Sequence, residues 1–200
     1  MQHSNRSTNV TCHSEIAVDL PIYSQTKTSV TVQLDKMWPT EAEVVRAMLN
    51  AVITEGLTYP QAAPLTPEEF DSYWLTGDAF VVRLCQEADS VATPTSTIVG
   101  AFYIKPNFPG RCSHICNAGF IVTPEVRGQG IGRLMGEAML ELARDRGYRA
   151  VMYNLVFKTN LPSLKLWETL GFEQIGRIPE AAHLPDGRYV DVMMLYRALI

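Results

Sequence analysis

The chain has no apolar run approaching the roughly 20 residues that a helical membrane span requires, so no membrane partner is expected. It also lacks a basic excess: 17 Lys and Arg against 21 Asp and Glu leave a formal net charge of −4. The cations are scattered, so the footprint that a nucleic-acid backbone demands is missing and no nucleic-acid partner is expected. Residues 1–25 are polar, carry Arg6, Glu15 and Asp19, and hold no apolar core of signal-peptide length. Without such a signal, Asn5-Arg6-Ser7 and Asn9-Val10-Thr11 read as chance matches to the glycosylation pattern. The four cysteines, Cys12, Cys85, Cys112 and Cys116, form no paired C-x-x-C units. Cys112-Ser113-His114-Ile115-Cys116 with His13 could be imagined as a zinc site, but strand thiols more often serve as small apolar fillers, so no metal is expected. Reduced thiols suit a cytoplasmic location.

What is present is enough apolar residue, 46% of 200, to bury one core, and the length favours one domain. We expect a tail or accessory segment over residues 1–28 and a single domain over 29–200. Residues 29–35 alternate, with Val30, Val32 and Leu34 on one side, and predict the first strand. Thr40 with Glu43 reads as a capping box for a helix that ends at Gly56, and a short helix should start after Thr66 with Pro67 at its first position. Strands are predicted over 79–85 and 97–105, joined by a polar loop at 86–96, and over 114–122. A helix with Ile131, Leu134, Met135, Ala138 and Leu142 on one face follows and closes at Gly147. Then come a strand over 148–157, a helix over 162–170, and strands over 172–177 and 189–196. No internal repeat is visible.

The most informative stretch is Arg127-Gly128-Gln129-Gly130-Ile131-Gly132, between a strand and a helix. Its glycines let backbone N–H groups approach an anion, and the helix that follows adds its unpaired N–H groups and positive dipole end. Arg127 and Arg133 can add charge. A mononucleotide P-loop would need four residues between its glycines and then Gly-Lys-Ser/Thr, which is absent. A dinucleotide fingerprint would need a small residue where Arg133 stands and an acid about 20 positions on, where none occurs. A diphosphate cradle of another kind and a ligand-free glycine turn between strand and helix are the readings left, and the first is taken.

Val122-Thr123-Pro124-Glu125-Val126-Arg127-Gly128-Gln129-Gly130-Ile131-Gly132 resembles the acetyl-CoA-binding motif of the GCN5-related N-acetyltransferases (GNAT). Asn160-Leu161-Pro162-Ser163-Leu164-Lys165-Leu166-Trp167-Glu168-Thr169-Leu170-Gly171-Phe172 is similar to that family's second conserved helix. The resemblance implies an α/β fold: a mixed, mostly antiparallel central sheet, splayed at the acetyl-CoA site, with helices on both faces. It further implies acetyl-CoA as co-substrate, held by the backbone of Ile121 and Val122, by Arg127, Gly128, Gln129, Gly130, Ile131, Gly132 and Arg133, and by Asn160. Many members carry a tyrosine acid where this chain has Trp167. Indole cannot serve as a proton donor at neutral pH, so Trp167 is read first as packing.

Cys116-Asn117-Ala118-Gly119-Phe120 and Asn154-Leu155-Val156-Phe157-Lys158-Thr159-Asn160 resemble the fungal N-acetyltransferases of azetidine-2-carboxylate and other proline analogues. Carried over, that resemblance makes Asn117 and the backbone at Asn154 and Leu155 the grip on a substrate carboxylate, with Asn160 donating to the thioester oxygen or the departing thiolate. Asn117 and Asn160 are then the catalytic candidates. Strand asparagines also serve as structural ties. No side chain is an obvious base; Glu55 or Tyr59 acting through water are the candidates. The expected acceptor is a small amino acid, in its sharp form a proline analogue. Another small amine remains open: a polyamine, with Glu55, Glu68, Glu69 and Asp78 as entrance acids, or an amino-acid-like toxin. So does a non-catalytic acetyl-CoA sensor. Sheet completion across a homodimer is expected, with 189–196 as the candidate edge strand.

Overall fold

The computed structural model describes residues 18–85 and 97–200. Cys12, His13, the glycosylation-like triplets and the polar loop expected at 86–96 lie outside the described residues. In chain order the elements are β1 (Ile22–Gln25), β2 (Thr31–Lys36), α1 (Ala42–Glu55), α2 (Pro67–Trp74), β3 (Asp78–Leu84) and β4 (Ile98–Pro106). They continue as β5 (Ile115–Val122), α3 (Ile131–Asp145), β6 (Ala150–Phe157), α4 (Leu161–Thr169), β7 (Glu173–His183) and β8 (Tyr189–Ala198). The predicted order is reproduced, with one strand added at the front. β1 is short and follows Pro21, so its alternation is too brief to read from sequence, yet it pairs antiparallel with β2 from Ile22↔Leu34 to Gln25↔Thr31.

The eight strands form one sheet in the order β1-β2-β3-β4-β5-β6-β8-β7, and every neighbouring pair is antiparallel except β5 with β6. This corrects the expected edge. β8 lies between β6 and β7, and the edge strands are β7 at this end and β1 at the other. The physical reason is visible in composition: Val190, Val192, Met193, Met194 and Leu195 put apolar groups on both faces of β8, as an interior strand requires. β7 is exposed along nearly its whole length and carries Glu173, Arg177 and Glu180, which suits an edge.

Period-two alternation divides the sheet's side chains between two cores. Phe80, Phe102, Met135, Met139, Trp167 and Leu195 pack on the α3/α4 face; Leu49, Phe70, Trp74, Val81, Tyr103 and Ile121 pack on the α1/α2 face. α3 lies close on β4 because residue 100 is glycine: a Cβ there would press on Ile131 and Met135. Thr66 caps α2 as predicted, its hydroxyl accepting from Glu69 N–H while the Glu69 carboxylate accepts from Thr66 N–H.

The start of α1 differs from the expectation. Thr40 sits inside a 3-10 turn (Pro39–Glu41), and it is Glu41 whose carboxylate accepts from the Trp38 N–H at 2.7 Å. The same carboxylate holds the buried Arg83 guanidinium through two bonds of 2.7 Å, and Trp38 covers the guanidinium at 4.1 Å. Glu43, the expected capping partner, pairs instead with Arg46 one turn on.

Because Arg83 and Glu41 are both buried, removing one strands a charge in the interior. Glu41→Ala should cost about 3–5 kcal/mol of unfolding free energy in urea denaturation, and Glu41→Ala with Arg83→Met should cost less than Glu41→Ala alone.

Candidate active site

β5 and β6 are each eight residues long, yet they pair at two positions only, Ile115↔Ala150 and Cys116↔Val151. Beyond that point the strands diverge, as the splayed sheet of the sequence reading requires. The backbone groups that face the gap follow from the ladder. Thr123 N–H bonds to Val99 O and Asn107 N–H to Ile115 O, so alternation turns the odd-numbered residues of β5 toward β4 and the even-numbered ones toward the gap. Val122 therefore faces the gap, together with Phe120 and Ala118. Ile121, expected beside it, has its N–H and C=O directed at Ala101 of β4, a correction imposed by strand register.

Asn117 stands at the fork, immediately after the last paired residue. Its Nδ2 donates to Met152 O at 2.9 Å, replacing the ladder bond lost by that carbonyl, and its Oδ1 lies 3.4 Å from the Tyr103 hydroxyl. Half of its hydrogen-bonding capacity thus ties the gap together, leaving one N–H and one lone pair. Asn154 and Leu155 form a β-bulge on β6, for Tyr153 pairs with Leu195 and Val156 with Met193. The bulge frees the backbone there from the β8 ladder. The Asn154 amide is committed elsewhere, to a reciprocal pair with Asn107, with bonds of 3.0 and 2.6 Å. Asn107 was not anticipated; its place after Pro106 gave no signal. Asn160 caps α4, its Oδ1 accepting from Ser163 N–H at 3.3 Å, and its Nδ2 donates to no described residue.

The glycine loop lies at the open end of the gap, between a 3-10 turn (Pro124–Val126) and α3. Gly128 and Gly130 have φ of 78° and 97°, the left-handed region, and a Cβ on either would meet no protein atom within 4 Å. Space in front of the loop is therefore open. Among the described residues, the N–H groups of Gly128, Gly130, Ile131 and Gly132 have no backbone acceptor, and they lead into the positive end of a 15-residue helix. Arg127 and Arg133 contribute less free charge than expected: Arg127 pairs with Glu55 at 2.8 Å and reaches Val122 O, and Arg133 pairs with Glu137 at 2.8 Å. The loop has a brace that the sequence did not suggest. In the turn between β1 and β2, Lys27 N–H donates to Gln129 O at 3.1 Å and the Thr28 hydroxyl to Gln129 Oε1 at 2.8 Å.

The candidate proton carriers are spoken for. Glu55 is held by Arg127. Tyr59 donates to Phe120 O at 3.2 Å, and burial holds its hydroxyl well above the ordinary tyrosine range, so it stays protonated. Trp167 is buried among Phe120, Tyr153 and Phe172, with ring centroids 4.8, 4.6 and 5.4 Å away, and its Nε1 donates to Ser163 Oγ at 2.9 Å. α3 and α4 meet closely behind it because a Cβ at Gly136 would press on Leu170 and Trp167. Cys116 is a core filler whose thiol burial pushes up to about 12; Cys112 is exposed.

A mixed sheet splayed beside a glycine loop at a helix N-terminus defines an acyl-transfer architecture. Residues 54–172 match the acetyltransferase (GNAT) family, and the chain belongs to that family as an N-acetyltransferase. It is 39% identical over 155 residues to the N-acetyltransferase aca1 of Schizosaccharomyces pombe, covering 72% of this chain and 73% of that one. Among solved structures, a GCN5-related N-acetyltransferase from Kribbella flavida superposes with a TM-score of 0.75 at 30% identity, covering 84% of this chain and 97% of its own. A phosphinothricin acetyltransferase from Sinorhizobium meliloti, in complex with AcCoA, shares the fold with a TM-score of 0.72 at 17% identity, covering 84% and 88%.

If Trp167 is packing and not chemistry, Trp167→Phe should lower unfolding free energy by about 1 kcal/mol through loss of the Ser163 bond, measured by thermal or urea denaturation. Its kcat should stay within about twofold of the parent, since an acid–base group contributes about a hundredfold or more.

Proposed function

We propose that this N-acetyltransferase uses acetyl-CoA to acetylate the amine of a small amino acid, most sharply a proline analogue such as azetidine-2-carboxylate. The single observation that supports the reading is the β5–β6 fork, with a braced glycine loop whose N–H groups are free at one end and three asparagines near it. Acetyl-CoA supplies an acetyl group activated as a thioester. The N–H groups of Gly128, Gly130, Ile131 and Gly132 would hold its diphosphate, and the gap-facing backbone of Phe120 and Val122 would line its pantetheine arm.

On the acceptor side, the remaining N–H of Asn117 and the backbone at Asn154 and Leu155 would hold the carboxylate. The bulge supports this, because it turns that backbone away from the β8 ladder. Asn160 would donate its free Nδ2 to the oxygen or sulfur that gains negative charge, a bond whose worth grows as charge develops. With Glu55 paired and Tyr59 protonated, the amine would enter neutral or lose its proton to water. Three of the four acids named for a polyamine are engaged, Glu55 with Arg127, Glu69 with the Thr66 N–H and Asp78 with Arg146, while Glu68 is exposed.

Thiol release from acetyl-CoA mixed separately with azetidine-2-carboxylate, proline, spermidine and a lysine peptide tests the acceptor. Turnover of the amino acids over spermidine is expected; turnover of spermidine or the peptide alone overturns the reading. Asn160→Asp keeps the acceptor that caps α4 but removes the donor. It should lower kcat by about a hundredfold or more with unchanged folding, and retention of parental kcat would remove Asn160 from the chemistry. Gly130→Val should abolish acetyl-CoA binding in calorimetry while circular dichroism shows a folded protein, since Cβ branches would fill the approach to the loop.

A further inference from the structure

Lys105 is the last strand residue but one of β4, and the ladder sets it directly opposite Asn117 on β5. Residues paired in this way share a face, so its side chain stands beside Asn117 on the α1/α2 side of the sheet, next to Tyr103 two positions earlier. The ammonium lies over two aromatic rings, 4.6 Å from the Tyr73 centroid and 4.5 Å from that of Tyr103, and donates to Tyr73 O. Tyr59 packs in the same cluster as these two rings. Gly119 makes room for it, because a Cβ there would lie 2.5 Å from the Tyr103 ring and 2.9 Å from the Tyr59 hydroxyl.

What this cation lacks is an anion. Arg46, Arg83, Arg127, Arg133, Arg144, Arg146, Lys158, Arg177 and Arg188 each meet a carboxylate; of the described cations that do not, Lys27, Lys36, Arg111, Arg149 and Lys165 are exposed, and part-buried Arg197 donates to Leu170 O away from the fork. Lys105 is half-buried and, among the described residues, meets none. Burial pushes its pKa down, the mark of a charge held out of water without a counter-ion. Two ring faces and one carbonyl satisfy part of that need. An ammonium has three donors, and only one is engaged.

We propose that Lys105 reads the charge of the acceptor: its ammonium pairs with an anionic group, in the first instance the carboxylate, on a substrate seated between Asn117 and the rings of Tyr59, Tyr73 and Tyr103. The inference rests on the amino-acid reading above and deepens it. The asparagines give the carboxylate directional bonds, and Lys105 supplies the charge that makes a carboxylate preferable to a neutral amide. The same charge repels a second ammonium, so a diamine is rejected by the pocket itself.

The test compares two acceptors that differ only in this group, proline and prolinamide (or azetidine-2-carboxylate and its carboxamide), in the parent enzyme, Lys105→Met and Lys105→Arg. Methionine keeps a long apolar stem over the rings. The ratio of kcat/KM for carboxylate over carboxamide is read in each variant, and the acceptors' own amine pKa values cancel when ratios are compared. In Lys105→Met the ratio should fall by about tenfold to a hundredfold, chiefly through KM for the carboxylate, with KM for acetyl-CoA and the melting temperature near parental values. Lys105→Arg should restore part of the preference. An unchanged ratio in Lys105→Met overturns the proposal and makes the lysine a packing element between α2 and β4. Loss of both activities with a lowered melting temperature would do the same. If the parent enzyme acetylates neither carboxylate acceptor while still binding acetyl-CoA, the amino-acid reading itself fails, and the charge assignment falls with it.

Discussion

The fork between β5 and β6 is the constraint on which the rest of this structure depends. Parallel strands joined through a helix would ordinarily pair along their length, and here they part after Cys116 and Val151. Parting exposes backbone groups that must find partners or face a ligand. Asn117 takes over one of them, the Met152 carbonyl, and Tyr59 and Arg127 take the carbonyls of Phe120 and Val122. The β6 bulge carries that strand away on the other side. The gap is bordered by specific side-chain bonds and by aromatic packing around Trp167.

The sheet also separates two tasks. The glycine loop opens at the end of the gap and leads into α3, braced by the β1–β2 turn through Gln129. The polar side chains of the α1/α2 face, Tyr59, Tyr73, Tyr103, Lys105 and Asn117, gather on the other side of the fork. Gly56, left-handed at φ 67° where α1 ends, lies so close to Pro185 that no Cβ would fit, which brings the β7–β8 connection against the end of α1. Arg127 links the two regions, since it follows the cradle's 3-10 turn and pairs with Glu55 of α1. One side is built from main-chain donors, which suit an anion, and the other from polar side chains.

Much of the fold was legible in sequence because its signals are local. The helix start after Thr66 with Pro67 at its first position, the apolar stripe of α3 and the strand patterns of β3 and β4 all depend on neighbours within a few residues. The errors share a different origin. β8 reads like an edge strand by its position near the end of the chain, but whether a strand is central depends on what lies beside it. Ile121 and Val122 are adjacent in sequence, and only the register against β4 turns one toward the gap and the other away. Thr40 followed by Glu43 satisfies a capping pattern that Glu41 pre-empts, because Arg83, 42 positions on, draws that carboxylate into the interior.

Sequence alone determined the conformation of the glycine loop and, with it, the class of chemistry, because Gly128, Gly130 and the following helix specify positive φ and free N–H groups within six residues of chain. It also singled out three asparagines as candidates. Tertiary structure decided how their atoms are spent: Asn117 partly as a tie, Asn154 in a pair with Asn107, and Asn160 as a cap with its donor still free. It decided as well that Lys105 stands half-buried with no counter-ion beside Asn117. The reason is that hydrogen-bond capacity and charge balance are properties of a neighbourhood, and these neighbourhoods join residues far apart in the chain: Asn117 with Met152, Asn154 with Asn107, and Lys105 with Tyr73.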